Sequence, residues 1–580
     1  MRTLWAIAAL LCSYPVLLAA ALWPSPVLFG VVAAGSYAVE YLASRADDRL
    51  LDLLDRVHLG ITLRFLVREM AAVLLVARTA GPDSGWFVAL PLGLLAAHGL
   101  RAVQAGLAVR LRQALHAMPV TTRNLDVSAL RIPRMPPGFL VDRRGARFLY
   151  LDLLPVLAAP FGATAAALGA GAALLAGAAG ALALIPYVLR AAPLFDRARV
   201  LDVVSRQVAA YRPEVILYFS GATEAAYQAR MWLSTLERIG RRAIVVLRER
   251  GMADHLEGTS LPILCIPSAA DLMSFRPLGE ARLCLYVANV GRNIHMLRVL
   301  GLRSAFIGHG DSDKEASFNP FSKVYDEVWV AGQAGRDRYL RARVGVRDED
   351  VYEVGRPQLE GISAAGPALP YRTVLYAPTW EGWTDDLFHT SLTTMGPGIV
   401  RALLEHRPPL RVIYKPHPLT GHRDRTAARA HRRINAMIEA AELAGARARH
   451  PSNPVRSARA APIRHLVVTG PEPHLYDCFN QADLMIGDIS SVVTEFLASG
   501  KPYAVTNVSG LPERAFHERY PSSEAGVLLG ADLAGLAALL DGEDTLGSAR
   551  RKLRTHLLGP DYPDALTRFN AAVERAFAGS

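Results

Sequence analysis

Three short stretches of the sequence carry residue types that could handle a phosphate group. The richest is LMIGDISSVVTEFLASGKPYAVTN, Leu484 to Asn507, which joins a strand, a polar turn, a helix and a second strand. Ser490 and Ser491 open that helix just past an apolar strand, so backbone N–H groups and two hydroxyls meet where an anion could bind. Asp488 shapes the turn, and Glu495 falls one turn beyond Ser491 on the same face, placed to accept hydrogen bonds from ribose hydroxyls. Serines at such positions also act as plain helix caps, and this stretch alone leaves both readings open.

The second stretch is KPHP, Lys415 to Pro418. Pro416 and Pro418 fix the backbone on both sides of His417 and so aim its ring. Lys415 could address a diphosphate as a charge and His417 as a hydrogen-bond donor. The third is IGHGDSDK, Ile307 to Lys314, where His309 lies between two glycines at the end of an apolar strand. A histidine presented in this way could take a proton from an acceptor hydroxyl, or simply bond a neighbouring loop. Lys314 could meet a phosphate. Asp311 and Asp313 form a DxD of the kind that holds a divalent cation in some transferases. The nucleotide-type features lie far downstream in a separate domain, so the expectation is a site with no metal and no cofactor.

These stretches need a scaffold of strand ends, and the sequence supplies one. After Arg199 short apolar runs alternate with helical stretches: 215–221, 243–249, 261–267, 283–289, 304–310 and 327–332 read as strands, with helices over Glu224 to Ile239 and Asn293 to Leu300. That alternation predicts a parallel, doubly wound sheet, with ligands beyond the carboxyl ends where Gly221, Asn289, His309 and Gly332 fall. GRPQLEG at 355–361 reads as a crossover to a second α/β domain with strands near 374–380, 411–418, 465–470, 484–487 and 503–507. The insert His422 to Pro462, rich in Arg and Ala, reads as a helical surface elaboration facing a membrane. Helices near 533–540 and 565–578 are expected to pack back across both domains. The domains are therefore 196–363 and 364–580.

Residues 1–195 differ in kind, holding most of the apolar excess of a chain that is 51% hydrophobic with a mean hydropathy of +0.19. Leu4 to Leu22, Val27 to Leu42, Ile61 to Ala77, Trp86 to Val109 and the long run Leu149 to Leu189 are candidate passes, about six if the last run spans twice. Ile61 to Ala77 carries Arg64, Arg68 and Glu69, and if it is an interfacial helix and the 149–189 run bends differently the number falls to about four. The arginines of 110–147 predict a cytoplasmic connection, which places both termini and the α/β domains on the cytoplasmic side of the cell membrane. The net charge of +11 falls in loops beside apolar segments, which favours an anionic membrane surface. No zinc-finger spacing, RNP-like motif or aromatic interleaving points to nucleic acid. Cys12, Cys265, Cys284 and Cys478 match no metal-ligand or CxxC spacing.

Taken in order, the glycine-flanked His309, GRP at 355–357, YAPTW at 376–380, KPHP at 415–418 and DISSVVTEFLASGKP at 488–502 resemble the CDP-glycerol glycerophosphotransferase family, the teichoic-acid polymerases and primases of the cell wall. The resemblance covers about residues 205–540. It implies an α/β fold of GT-B type, two Rossmann-like domains facing a cleft with the nucleotide in the C-terminal one. The α-helical membrane region read above precedes them, unlike relatives that attach peripherally. It implies that His309 is the catalytic base and that His417 acts at the diphosphate. By the same likeness Ser490, Ser491 and Glu495 hold nucleotide phosphate and ribose, and Thr379 lies near the leaving phosphate. Relatives commonly follow the first histidine with a Thr-Pro-Leu-Lys type sequence where this chain has GDSDK, so Lys314 alone matches. The implied activity is transfer of glycerol phosphate or another polyol phosphate from a CDP-activated donor to a hydroxyl of a lipid-linked or glycan acceptor. The same cleft would also suit a glycosyltransferase using a nucleotide-sugar. A non-catalytic membrane assembly or transport component is the reading from another class.

Overall fold

The computed structural model describes residues 2–46, 54, 58–81, 83–141, 149–310, 318–366, 368–382, 389–448, 463–470 and 472–578. It forms two compact units, one of Met1–Met118 with Val127–Val203 and one of Pro119–Asp126 with Val204–Ser580.

The first unit is helical: α1 (Arg2–Leu22), α2 (Pro26–Ala46), α3 (Ile61–Ala80), α4 (Gly85–Ala117), a short helix Leu153–Ala158, and α5 (Ala163–Ala191). Small residues let these helices approach closely. A Cβ on Gly169 would lie 2.7 Å from the Leu154 carbonyl, and one on Gly93 3.0 Å from Ala170. Among the described residues two helices, Gly85–Ala117 and Ala163–Phe195, are long and apolar enough to cross a membrane; the other apolar ones, Ala8–Leu22, Pro26–Leu42 and Tyr150–Phe161, are shorter. The run Leu149 to Leu189 is therefore not two equal passes. It breaks at Gly162, whose φ of +107° ends the first segment early.

Helix α3 also departs from the interfacial alternative. Arg64, Arg68 and Glu69 are buried inside the unit. Arg64 and Arg68 meet the Glu40 carboxylate of α2 at 2.8 and 3.0 Å, while Glu69 pairs with His98 at 2.6 Å and Arg101 at 3.2 Å. Charges inside an apolar bundle persist when they are paired, and each of these has a partner of opposite charge.

The second unit is mixed α/β, as expected, and is built on two sheets. The first comprises β1 (Thr121–Arg123), β2 (Val215–Phe219), β3 (Ala243–Leu247), β4 (Ile263–Cys265), β5 (Leu283–Tyr286), β6 (Arg303–Phe306), β7 (Glu327–Val330) and β8 (Val351–Glu353), in the order β1-β4-β3-β2-β5-β6-β7-β8. The second comprises β9 (Thr373–Ala377), β10 (Arg411–Tyr414), β11 (Leu466–Val467), β12 (Leu484–Gly487), β13 (Tyr503–Thr506) and β14 (Val527–Leu529), in the order β11-β10-β9-β12-β13-β14. Every neighbouring pair is parallel except β1 with β4. Strands β2, β3, β5, β9, β12 and β13 are buried along their whole length, which is why they read as unbroken apolar runs. Strand order reverses between β2 and β5 in the first sheet and between β9 and β12 in the second. Those switch points are where such sheets open a crevice for ligands.

Strand β1 comes from the stretch expected to be a connection, and it joins the second unit. The helix expected over Glu224 to Ile239 is broken into a turn at Thr223–Ala225, α6 (Tyr227–Arg230) and Leu233–Leu236. The cause is tertiary: Trp232, at the break, is buried against Phe569 and donates its indole N–H to the Gly308 carbonyl at 2.8 Å. The remaining helices used below are α7 (Gly396–Glu405), α8 (Arg425–Ala448), α9 (Leu475–Gln481), α10 (Ser491–Phe496), α11 (Gly547–Leu558) and α12 (Ala565–Ala578). Helix α12 buries Phe569, Val573 and Phe577 in the core of the first sheet, and α11 buries Leu553 and Leu557 in that of the second.

Candidate functional site

The histidine turn follows β6. Ile307 donates its N–H to the Tyr286 carbonyl at 2.9 Å, Gly308 takes a φ of +61°, and Trp232 holds the Gly308 carbonyl. His309 is half-buried, and its Nδ1 lies 2.8 Å from the Val287 carbonyl. A carbonyl can only accept, so Nδ1 carries the proton and Nε2 presents a lone pair. That is the tautomer of a proton acceptor.

His417 has the opposite tautomer. Its Nδ1 accepts the Leu419 N–H at 3.1 Å, so in the neutral ring Nε2 carries the proton and acts as a donor. Trp380 stacks on the ring at 5.8 Å between centroids and 19° between planes. The loop that follows is held by Glu381, which is fully buried and accepts N–H groups of Gly421 at 2.8 Å and Asp424 at 3.1 Å. Tyr227 of α6 stands edge-on to both histidines, 6.2 Å from His309 at 85° and 6.4 Å from His417 at 87°. The two sheets thus contribute one histidine each to a single aromatic cluster.

The segment after β12 closes the other wall. Asp488 is fully buried and accepts the N–H groups of Thr379 and Ser391 at 2.8 and 3.1 Å and the Thr506 hydroxyl at 2.6 Å. Burial pushes its carboxyl up, and the bonds from Ser391, Thr506 and Thr379 oppose that. Its lone pairs are thus directed at the fold: it ties the ends of β9, β12 and β13 together, the turn-shaping role read from the sequence.

Ser490 does not cap α10. Its hydroxyl donates to the Asp488 carbonyl at 3.1 Å, and no side chain caps the helix start. Ser491 and Glu495 lie against the histidine turn: a Cβ on Gly310 would be 2.9 Å from the Ser491 hydroxyl oxygen and 3.7 Å from a Glu495 carboxylate oxygen. Glu495 is buried beside Tyr476, whose phenol is pushed up by burial and then by that carboxylate. Tyr476 therefore keeps its proton and donates a hydrogen bond to Glu495.

Lys415 follows β10, and its ammonium donates to the Pro473 carbonyl at 3.4 Å. Burial lowers its pKa, with Arg230 of α6 acting in the same direction and Cys478 and Glu472 against it. His474, at the start of α9, is also lowered, by burial first and then by Arg230, with Lys415 adding to it and Asp477 and Glu472 opposing. Three basic groups from both lobes therefore share one neighbourhood. Thr379 is buried and fixed by its bond to Asp488.

Of the residues picked from sequence, His309, Ser491 and Glu495 adjoin one another, and His417 meets His309 across Tyr227. Thr379 and Ser490 attach to the same wall through Asp488. Lys314, with Asp311 and Asp313, lies outside the described residues. Among the described residues no group of three or more His, Cys, Asp or Glu is arranged to hold a metal. The sequence reading did not single out Tyr227, Arg230, Trp380, His474 or Tyr476. Trp380 ends the YAPTW motif, and Tyr227 with Arg230 follows the switch-point strand β2, which are the signals that could have found them.

No family model and no curated protein matches the chain. Solved structures similar to it include the wall teichoic acid polymerase TagF, at 13% identity over 67% of this chain and 95% of that one, with a TM-score of 0.41. Another is a putative UDP-N-acetylglucosamine 2-epimerase from Listeria monocytogenes, at 13% identity over 63% of this chain and 97% of that one, with a TM-score of 0.41. A glycosyltransferase from Rickettsia africae is similar at 10% identity over 63% of this chain and 99% of that one, with a TM-score of 0.40.

Proposed function

We propose that this chain is a membrane-anchored GT-B type transferase that moves glycerol phosphate, or another polyol phosphate, from a CDP-linked donor to a hydroxyl of a lipid-linked or glycan acceptor. The observation that carries the reading is the pair of opposed histidine tautomers on either side of Tyr227. One ring is set to take a proton and the other to give a hydrogen bond, as an in-line displacement at phosphorus requires.

In this mechanism His309 Nε2 removes the proton of the acceptor hydroxyl as that oxygen forms a bond to the donor's polyol phosphate. The bond from that phosphorus to the bridging oxygen breaks, and its electron pair leaves with CMP. His417 Nε2–H and the Lys415 ammonium stabilise the growing negative charge, with Ser490 and Ser491 at the phosphates and Thr379 behind the leaving group. Glu495 accepts from the ribose hydroxyls, and Lys314 reaches a phosphate. The cytidine and the polyol rest on the sequence motifs. The two long apolar helices and the arginine-rich connections support anchoring in the cell membrane with the α/β unit on the cytoplasmic side.

Incubation of the full chain with CDP-glycerol and a lipid-linked acceptor should give a phosphodiester product and one CMP per transfer. A glycosidic linkage made from a nucleotide-sugar would assign the same cleft to sugar transfer instead.

A further inference from the structure

Helix α8 carries a feature that the reaction does not use. Its inward side is apolar: Ala427 is buried, and Ala430, Ile434 and Ile438 are buried in the core of the second sheet, beside α7. At 100° per residue, Arg425, Arg429, Arg432 and Arg433 fall within an arc of about 100° on the opposite side. All four are exposed, and among the described residues none has a hydrogen-bond or ion-pair partner.

The placement of Arg425 runs against local helix electrostatics. The first turn has no acidic residue, and the positive end of the helix dipole disfavours a cation there. Asp424 offsets this only as a cap, accepting the Thr426 N–H at 2.7 Å. Further along the same outward side come Ala436, Ala440 and Leu443, with Leu443 60% exposed, and a single acidic intruder, Glu439. Four arginines on one exposed face with a leucine further along it, opposite a face anchored in the protein core, form a basic cluster of the kind that anionic lipid headgroups attract.

We propose that the outward face of α8 docks on an anionic bilayer surface, the arginines at lipid phosphates and Leu443 entering the interface. The occupant is argued from charge complementarity, from the exposed leucine, and from apolar helices elsewhere in the same chain that are long enough to cross a bilayer. Docking would hold the nucleotide-binding lobe at the membrane surface independently of the helical unit, whatever group the site transfers.

The test uses the full chain with Cys12→Ser, which removes the exposed native thiol, and Ala436→Cys carrying a polarity-sensitive dye. It is reconstituted in nanodiscs of phosphatidylcholine with or without phosphatidylglycerol. A blue shift confined to the anionic discs, lost in high salt, is the expected result. Removing each arginine should lower the docking constant about fivefold, so Arg425→Gln, Arg429→Gln, Arg432→Gln and Arg433→Gln together abolish the shift. Glu439→Arg should strengthen it, which keeps the test decisive if the fourfold variant unfolds. No shift in anionic discs overturns the proposal. So does a shift equal in both lipids, or one produced by a soluble poly(glycerol phosphate) and not by anionic lipid.

Discussion

In the proposed reaction His309 and His417 divide one proton-handling task between two sheets, and that proposal rests on their backbone partners. Val287 holds one ring as an acceptor and Leu419 holds the other as a donor. Replacing His309 by Ala should lower kcat about 10²- to 10⁴-fold, the usual worth of a general base, with little change in melting temperature. Asp488 should behave in the reverse manner. Asp488→Ala leaves the Thr379 and Ser391 N–H groups buried without their acceptor, and a loss of about 3 kcal/mol in denaturant unfolding is expected.

Lys415 supplies a pH test. Burial lowers its pKa, its charged form is the one that attracts phosphate, and charge is lost as pH rises through that lowered value. The alkaline limb of kcat/KM should therefore lie below the ordinary lysine range, and Lys415→Arg should move it upward. An alkaline limb unaffected by that substitution would exclude Lys415 from donor binding.

At the scale of elements, the site depends on how closely two turns approach. Gly310 has no room for a Cβ, which would fall 2.8 Å from that of Ser491. Gly310→Ala should separate the histidine turn from α10, cut turnover and weaken nucleotide binding while leaving the unfolding transition nearly unchanged. At Gly332 the obstacle is backbone, Gly559 N at 2.7 Å and the His556 carbonyl at 2.8 Å, so Gly332→Ala should cost about 1–3 kcal/mol of stability.

The buried strands were legible in the sequence because parallel strands covered on both faces read as apolar runs, and His309, Lys415 and the Ser490–Ser491 pair follow such runs directly. Strands β1, β8 and β14 are three residues each, too short to give a periodic signal. The break at Trp232 depends on a carbonyl far along the chain. Tyr227 belongs to the site only because folding brings it between two histidines of distant sequence position, which no local pattern records.

At the scale of the whole molecule, a helical unit with buried, paired charges and an α/β unit with three basic groups gathered beside its histidines share one chain. Alkaline carbonate washing should leave the protein in the membrane pellet, and recovery in the supernatant would remove the anchor. A membrane-held transferase can meet a cytoplasmic donor and a lipid-linked acceptor at one surface, which is the central claim. Its most direct test is the product of the full chain supplied with CDP-glycerol and a lipid-linked hydroxyl acceptor, examined by phosphorus NMR. A phosphodiester resonance rising in step with released CMP, and absent with His309→Ala, is the predicted result. A glycosidic product from a nucleotide-sugar with no phosphodiester, or bound CDP-glycerol that never turns over, would contradict it.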